Sequence, residues 1–139
     1  MSQKILLPPG WPRPGGYSNG IAAEGRLVFT AGQIAWDESH VIQTDGMAGQ
    51  VAQTLKNIVA VLAEADAAPR HIVRMTWYIT SRSEYLEDVK EIGRVWREII
   101  GRHYPAMAVI EVSALIENAA KVEIETTAVV PPCTNPRSE

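Results

Sequence analysis

One cysteine, Cys133, is all the chain contains. A lone thiol cannot close an internal bridge, so a disulfide scaffold is excluded. It lies in the stretch Pro131-Pro132-Cys133-Thr134-Asn135-Pro136 and reads as an incidental exposed thiol. No apolar run approaches the roughly 20 residues that span a bilayer, and Ile5-Leu6-Leu7 near the start is too brief for a signal peptide. The expectation is a cytoplasmic protein with no membrane partner. His40, His71 and His103 fall in three separate segments without the i, i+4 spacing of a ligand pair, which argues against a metal. The Gly-x-Ser-x-Gly elbow, the phosphate-binding Gly-Lys-Ser loop and the dinucleotide fingerprint are missing as well, so the standard hydrolase, nucleotide and hydride-transfer machines lack their signatures. An excess of basic charge is also absent. Thirteen basic against 16 acidic side chains leave a formal net charge of -3, with the signs interspersed, which argues against nucleic acid as a partner.

What is present is enough for a core. In 139 residues, 46% are hydrophobic. A chain of this size buries roughly two thirds of its unfolded surface, so one domain over residues 1–139 is expected. Residues 8–20 hold four prolines and four glycines, a composition that predicts a shaped loop, and a free tail is expected over 131–139. Gly20 to Ala23 and Arg26 to Gln33 flank Glu24-Gly25 and read as two strands of a tight hairpin. From Met47 to Ala65, Val51, Leu55, Ile58, Leu62 and Ala65 recur at helical steps, with Gln50, Gln53, Lys56, Asn57 and Glu64 filling most of the remainder. That predicts an amphipathic helix. Ile72 to Ser81 alternates as a strand. Glu84 to Ile100 repeats the helical pattern, with Ser83 as N-cap and Gly101 as stop. Ala106 to Leu115 and Lys121 to Val130 read as two more strands.

The order β-β-α-β-α-β-β puts helices on one sheet face. Apolar residues on the other face need a partner, and self-association is the commonest way to supply one. Glu123 and Glu125 share a face of the last strand, and Glu111 is expected on a neighbouring strand with Ile110 and Val112 turned away. Such a face is either solvated or covered by another subunit, and only the second arrangement gives the partly desolvated carboxylate that general acid-base chemistry uses. Trp77 and Trp96 fall on core periodicities and read as packing. Tyr17 can meet a ligand or pack on the proline-rich segment, and Gly15-Gly16 and Gly32 are either ordinary turn glycines or points of close backbone approach.

Five blocks taken in order, Gly15-Gly16-Tyr17-Ser18-Asn19-Gly20-Ile21, Val28-Phe29-Thr30-Ala31-Gly32-Gln33-Ile34, Gln53-Thr54-Leu55-Lys56-Asn57-Ile58, Pro105-Ala106 and Val122-Glu123-Ile124-Glu125, resemble the Rid family, also called the YjgF family. The resemblance implies an α+β, chorismate-mutase-like fold: a mixed β-sheet with two helices packed on one face, assembled as a homotrimer with small-molecule clefts between subunits. It also implies hydrolysis of enamines or imines such as 2-aminoacrylate, with no metal and no organic cofactor. Carried over by position, Tyr17, Gly32 and Ile34 would line the cleft and Glu123 would place or activate water. The chain departs from the pattern after Pro105-Ala106, where Met107 stands in place of the arginine that grips the substrate carboxylate. Lys90 stands for a pocket asparagine, and Val109 for a cysteine or small residue. A thioether cannot replace a charge-assisted pair worth roughly 2 to 5 kcal/mol, so 2-aminoacrylate is expected to be a poor substrate unless Arg13, Arg74, Arg82 or Arg102 compensates. Two readings follow: a divergent Rid-type hydrolase for a more apolar unsaturated or amino metabolite, or a non-catalytic trimer that binds a hydrophobic metabolite or a protein. The endoribonuclease label that circulates for the family finds no basic stripe here.

Overall fold

The computed structural model describes residues 3–132, so Cys133 and the tail beyond it lie outside the described residues. The longest apolar periodicity becomes helix α1, Met47–Ala63, with Met47, Val51, Leu55, Ile58 and Leu62 buried. Its side chains meet those of a four-stranded sheet built from β3 (Arg26–Phe29), β4 (Ile72–Ile79), β5 (Ala106–Glu111) and β6 (Val122–Val130). The strand order is β3-β6-β4-β5. β6 runs antiparallel to both of its neighbours, whereas β4 and β5 are parallel and need the helical crossover between them. Ile72, Met75, Trp77 and Ile79 from β4 and Val122, Ile124 and Ala128 from β6 complete the core beneath the helices. The fold is α+β with a mixed sheet. No helix among the described residues is long and apolar enough to cross a membrane.

Several expectations are corrected. The strands flanking Glu24-Gly25 do not form a hairpin with each other: β2 (Gly20–Ala23) pairs antiparallel with β1 (Gln3–Leu6), and β3 pairs with β6. A two-residue hairpin turn requires positive φ at its first residue, and in the tightest type at both. Here only Gly25, at φ +145°, has it. Gly25 also passes so near the Val130 carbonyl that an added Cβ would stand 2.0 Å from its oxygen.

The second predicted helix is two, α2 (Arg82–Glu87) and α3 (Val89–Ile99), broken at Asp88 (φ −95°, ψ 6°). The break has a use. The Asp88 carboxylate accepts the Ala48 N–H at 3.1 Å, satisfying an orphan donor at the start of α1. The cap of α2 is Ser81, whose hydroxyl accepts from Glu84 N–H, and not Ser83. Gln50 is fully buried, where the helical pattern put it among the solvent-facing positions. Its amide donates to the Thr44 and Ala119 carbonyls and accepts from Lys121 N–H, so every polar group is paired and the burial is tolerated.

His71 closes a short 3-10 turn, Pro69–His71. Its Nδ1 accepts the Ala68 N–H at 2.9 Å, and burial first, with the Arg70 charge second, holds its pKa below 6.5. The unfolded chain therefore takes up this proton before the folded one. Stability from His71 is complete above pH ~6.5 and falls as the pH drops through the pKa of the unfolded form and then that of the folded form. Urea midpoints at pH 8 and pH 5.5 should differ less in His71→Asn than in the wild type.

Candidate functional site

Two features carry chemistry, and they sit at opposite edges of the sheet. The first follows β3. Thr30 N–H donates to the Thr126 carbonyl at 2.9 Å and Gln33 N–H to that of Ile124 at 2.8 Å. Three residue steps on one side thus face two on the other, which is a β-bulge at Ala31-Gly32. An added Cβ on Gly32 would stand 2.5 Å from Glu123 Oε2 and 3.0 Å from its Cγ. Glycine lets the carboxylate lie directly against the backbone. The neighbouring carboxylate is committed elsewhere: Tyr78 O–H donates to Glu125 Oε1 at 2.8 Å, and that hydrogen bond pushes the phenol pKa up.

The second feature is a cavity of about 500 Å³ between β5, β4 and α2–α3, closed on one side by the glycine loop. Trp77, Tyr85, Trp96 and Tyr104 form its aromatic wall, with Tyr17, Met107 and Val109 beside them. Trp77 meets Tyr85 edge-on at 6.4 Å, and Trp96 stacks on Tyr104 at 6.5 Å, both within favourable aromatic ranges. Trp96 Nε1 donates to the His103 carbonyl. Trp77 Nε1 is buried without an acceptor. Burial pushes the Tyr85 phenol pKa up, so it remains a donor at neutral pH. Arg97 also borders the cavity, a residue that helical periodicity does not flag because it lies on the polar side of α3.

The candidate residues divide between these features. Tyr17, Met107 and Val109 line the cavity, whereas Gly32 and Glu123 meet at the bulge. Ile34 is buried, its carbonyl held by Asn57 Nδ2 at 2.9 Å. Lys90 is exposed on α3 and is not in the cavity wall. Register explains the division. Tyr78 pairs with Glu123 and Ile110, while Trp77 pairs with Ile124 and Val109, so Glu123 points to the face without helices and Val109 to the face with them. Two strand spacings, about 10 Å, separate β6 from β5. Glu111 pairs with Ile79 and therefore lies on the face opposite Glu123 and Glu125, with β4 between. The expected shared face is corrected: Glu111 accepts the Arg82 N–H at 2.7 Å, at the start of α2. Of the four arginines considered, Arg74 stands on the helix-free face and Arg13 and Arg102 border a different cleft. Among the described residues, no group of three or more His, Cys, Asp or Glu side chains gathers as metal ligands would.

Residues 12–130 match the family model described as Endoribonuclease L-PSP. The chain belongs to the Rid family. A RutC family protein of Pyrococcus abyssi is 32% identical over 130 residues, covering 92% of this chain and 98% of the relative. The Escherichia coli putative reactive intermediate deaminase TdcF is 31% identical over 119 residues, 83% of this chain and 87% of TdcF. The structure of TdcF with bound serine superposes with a TM-score of 0.65, covering 91% of this chain and 98% of TdcF at 30% identity. A Rid protein of unknown function from Yersinia pestis, YyfB, superposes with a TM-score of 0.82 at 27% identity, covering 94% of this chain and all of that one.

Proposed function

We propose that this Rid chain is a hydrolase of the enamine and imine deaminase kind, working without metal or organic cofactor in a cleft completed by a second subunit. The observation that carries the reading is the Glu123 carboxylate laid against Gly32 on a sheet face that no helix of its own chain covers. Leu27 and Phe29, 59% and 67% exposed, pair with Val129 and Thr127 and so share that face. Exposed apolar groups there favour a covering copy. In a homotrimer, the bulge of one protomer would meet the aromatic cavity of the next. Water is then the nucleophile: Glu123 takes one proton as the water oxygen bonds to the imine carbon and the C=N π pair moves to nitrogen, which receives that proton to give the carbinolamine. The hydroxyl proton then passes to nitrogen as the C–N bond breaks, and ammonia leaves a carbonyl product.

Deaminase names among the relatives support the reaction class, and the serine bound in TdcF supports small-molecule binding. Met107 favours a second reading, a trimer that binds an apolar metabolite without turning it over. The test couples the protein to an enzyme that releases 2-imino acids and follows keto-acid formation. Acceleration is expected for large apolar substrates and little for 2-aminoacrylate. No acceleration of any imine, or a monomer mass in sedimentation equilibrium across a wide concentration range, would overturn the proposal.

A further inference from the structure

The aromatic cavity has a specific chemical bias. Its wall contains no carboxylate, one cation and a row of rings, so it offers apolar surface inside and positive charge at the rim. Arg97 is exposed, and its guanidinium folds back along α3: Nη1 lies 3.4 Å from where a Gly93 Cβ would stand. Glycine at that position leaves room for the guanidinium beside the cavity. The two neighbouring charges on the helix are already engaged, because Arg94 bonds Glu91 and Glu98 at 2.5 and 2.8 Å. Among the described residues Arg97 has no such carboxylate. Trp77 belongs to the same wall and is 2% exposed, with its indole N–H closed off from the cavity, so what it offers a ligand is ring carbon.

We propose that this cavity binds 2-oxo or 2-imino carboxylates bearing an aromatic side chain, with the ring among Trp77, Tyr85 and Trp96 and the carboxylate on Arg97. The carboxylate anchor thus comes from α3 and not from the strand position occupied by Met107. An apolar thioether there suits the ligand body, since methionine packs well against rings. The volume, about 500 Å³, is within the range of sites for small organic ligands and is generous for a three-carbon acid. The inference names a substrate class for the hydrolase proposed above, and rests on that reading only for the step from binding to turnover.

The test is calorimetric titration of the full chain with phenylpyruvate, the stable product of hydrolysing an aromatic 2-imino acid, and with pyruvate. Phenylpyruvate should bind at least about tenfold more tightly than pyruvate, as burial of a ring requires. Arg97→Met should weaken phenylpyruvate binding by roughly ten- to a hundredfold, the loss of one charge-assisted hydrogen bond. Arg94→Met, on the same helix, should leave it unchanged. Equal affinity for the two acids, or wild-type affinity in Arg97→Met, overturns the inference while leaving the hydrolase reading intact. Conversely, selective binding that depends on Arg97, together with full turnover by Glu123→Gln, removes the proposed catalytic role and leaves the binding site standing.

Discussion

Glu123→Gln is expected to slow imine hydrolysis by roughly two to four powers of ten, the usual contribution of a positioned general base, with the assembly mass and melting temperature close to wild type. Glutamine has the same length and keeps an oxygen that can lie against Gly32, so the bulge need not change shape. What disappears is the ability to take a proton from water. Glu125 cannot replace it, because its oxygen is held by Tyr78 at 2.8 Å and it stands two residues, about 7 Å, further along the same strand face. Glu125→Gln is therefore the matched control, with a change of less than about tenfold expected on the same scale. Single-turnover rates with a generated 2-imino acid give the comparison. Equal rates for Glu123→Gln and wild type would leave the binding reading in its place.

Gly32→Ala should lower turnover by about a hundredfold, the scale on which small misplacements act, with little loss of stability. The added methyl would stand 2.5 Å from Glu123 Oε2 and 2.9 Å from its Cδ, closer than atoms can approach. Gly32 is not among the glycines of positive φ, so alanine meets no backbone strain there. The yielding part is the end of a flexible side chain, which rotates off the bulge. The carboxylate survives but no longer faces its position, so kcat should fall while phenylpyruvate affinity in the aromatic cavity changes little. A thermal scan beside the kinetics separates this from unfolding: wild-type kcat at wild-type Tm would show that the contact does not position the base.

Much of the framework was legible because it is periodic. The run Val51, Leu55, Ile58, Leu62 specifies one buried helix face, and alternation in β4 and β6 specifies which residues point inward, in agreement with their burial. Features set by distant partners were not. β1 is four residues, mostly exposed, too short for a period and defined by its pairing with β2. The face of Glu111 is not legible in the sequence because the strand after Pro105 is parallel to β4, and parity alone does not fix register across an intervening strand. Gln50 looked solvated because its helix position is polar, yet its three partners come from segments before and after α1. In the candidate site, spacing identified Trp77 and Trp96 as buried, which is correct, but periodicity cannot say that a packed wall also borders a void. Arg97 was missed for the same reason. Only the absence of a side chain at Gly93, one turn earlier on α3, hints that the guanidinium has somewhere to lie.

The placement of β6 has a consequence for biosynthesis. It is a central strand, shared by β3 and β4, yet it follows all the other strands in chain order. As the polypeptide leaves the ribosome, β3 and β4 have no ladder partner in common until residues 122–130 emerge. Until then β3 has no ladder partner, and β4 is paired along one edge only, with β5. Closure of the sheet thus waits for β6, which inserts between two strands already made. Chains stalled before Val122 are the species that chaperones and proteases would meet.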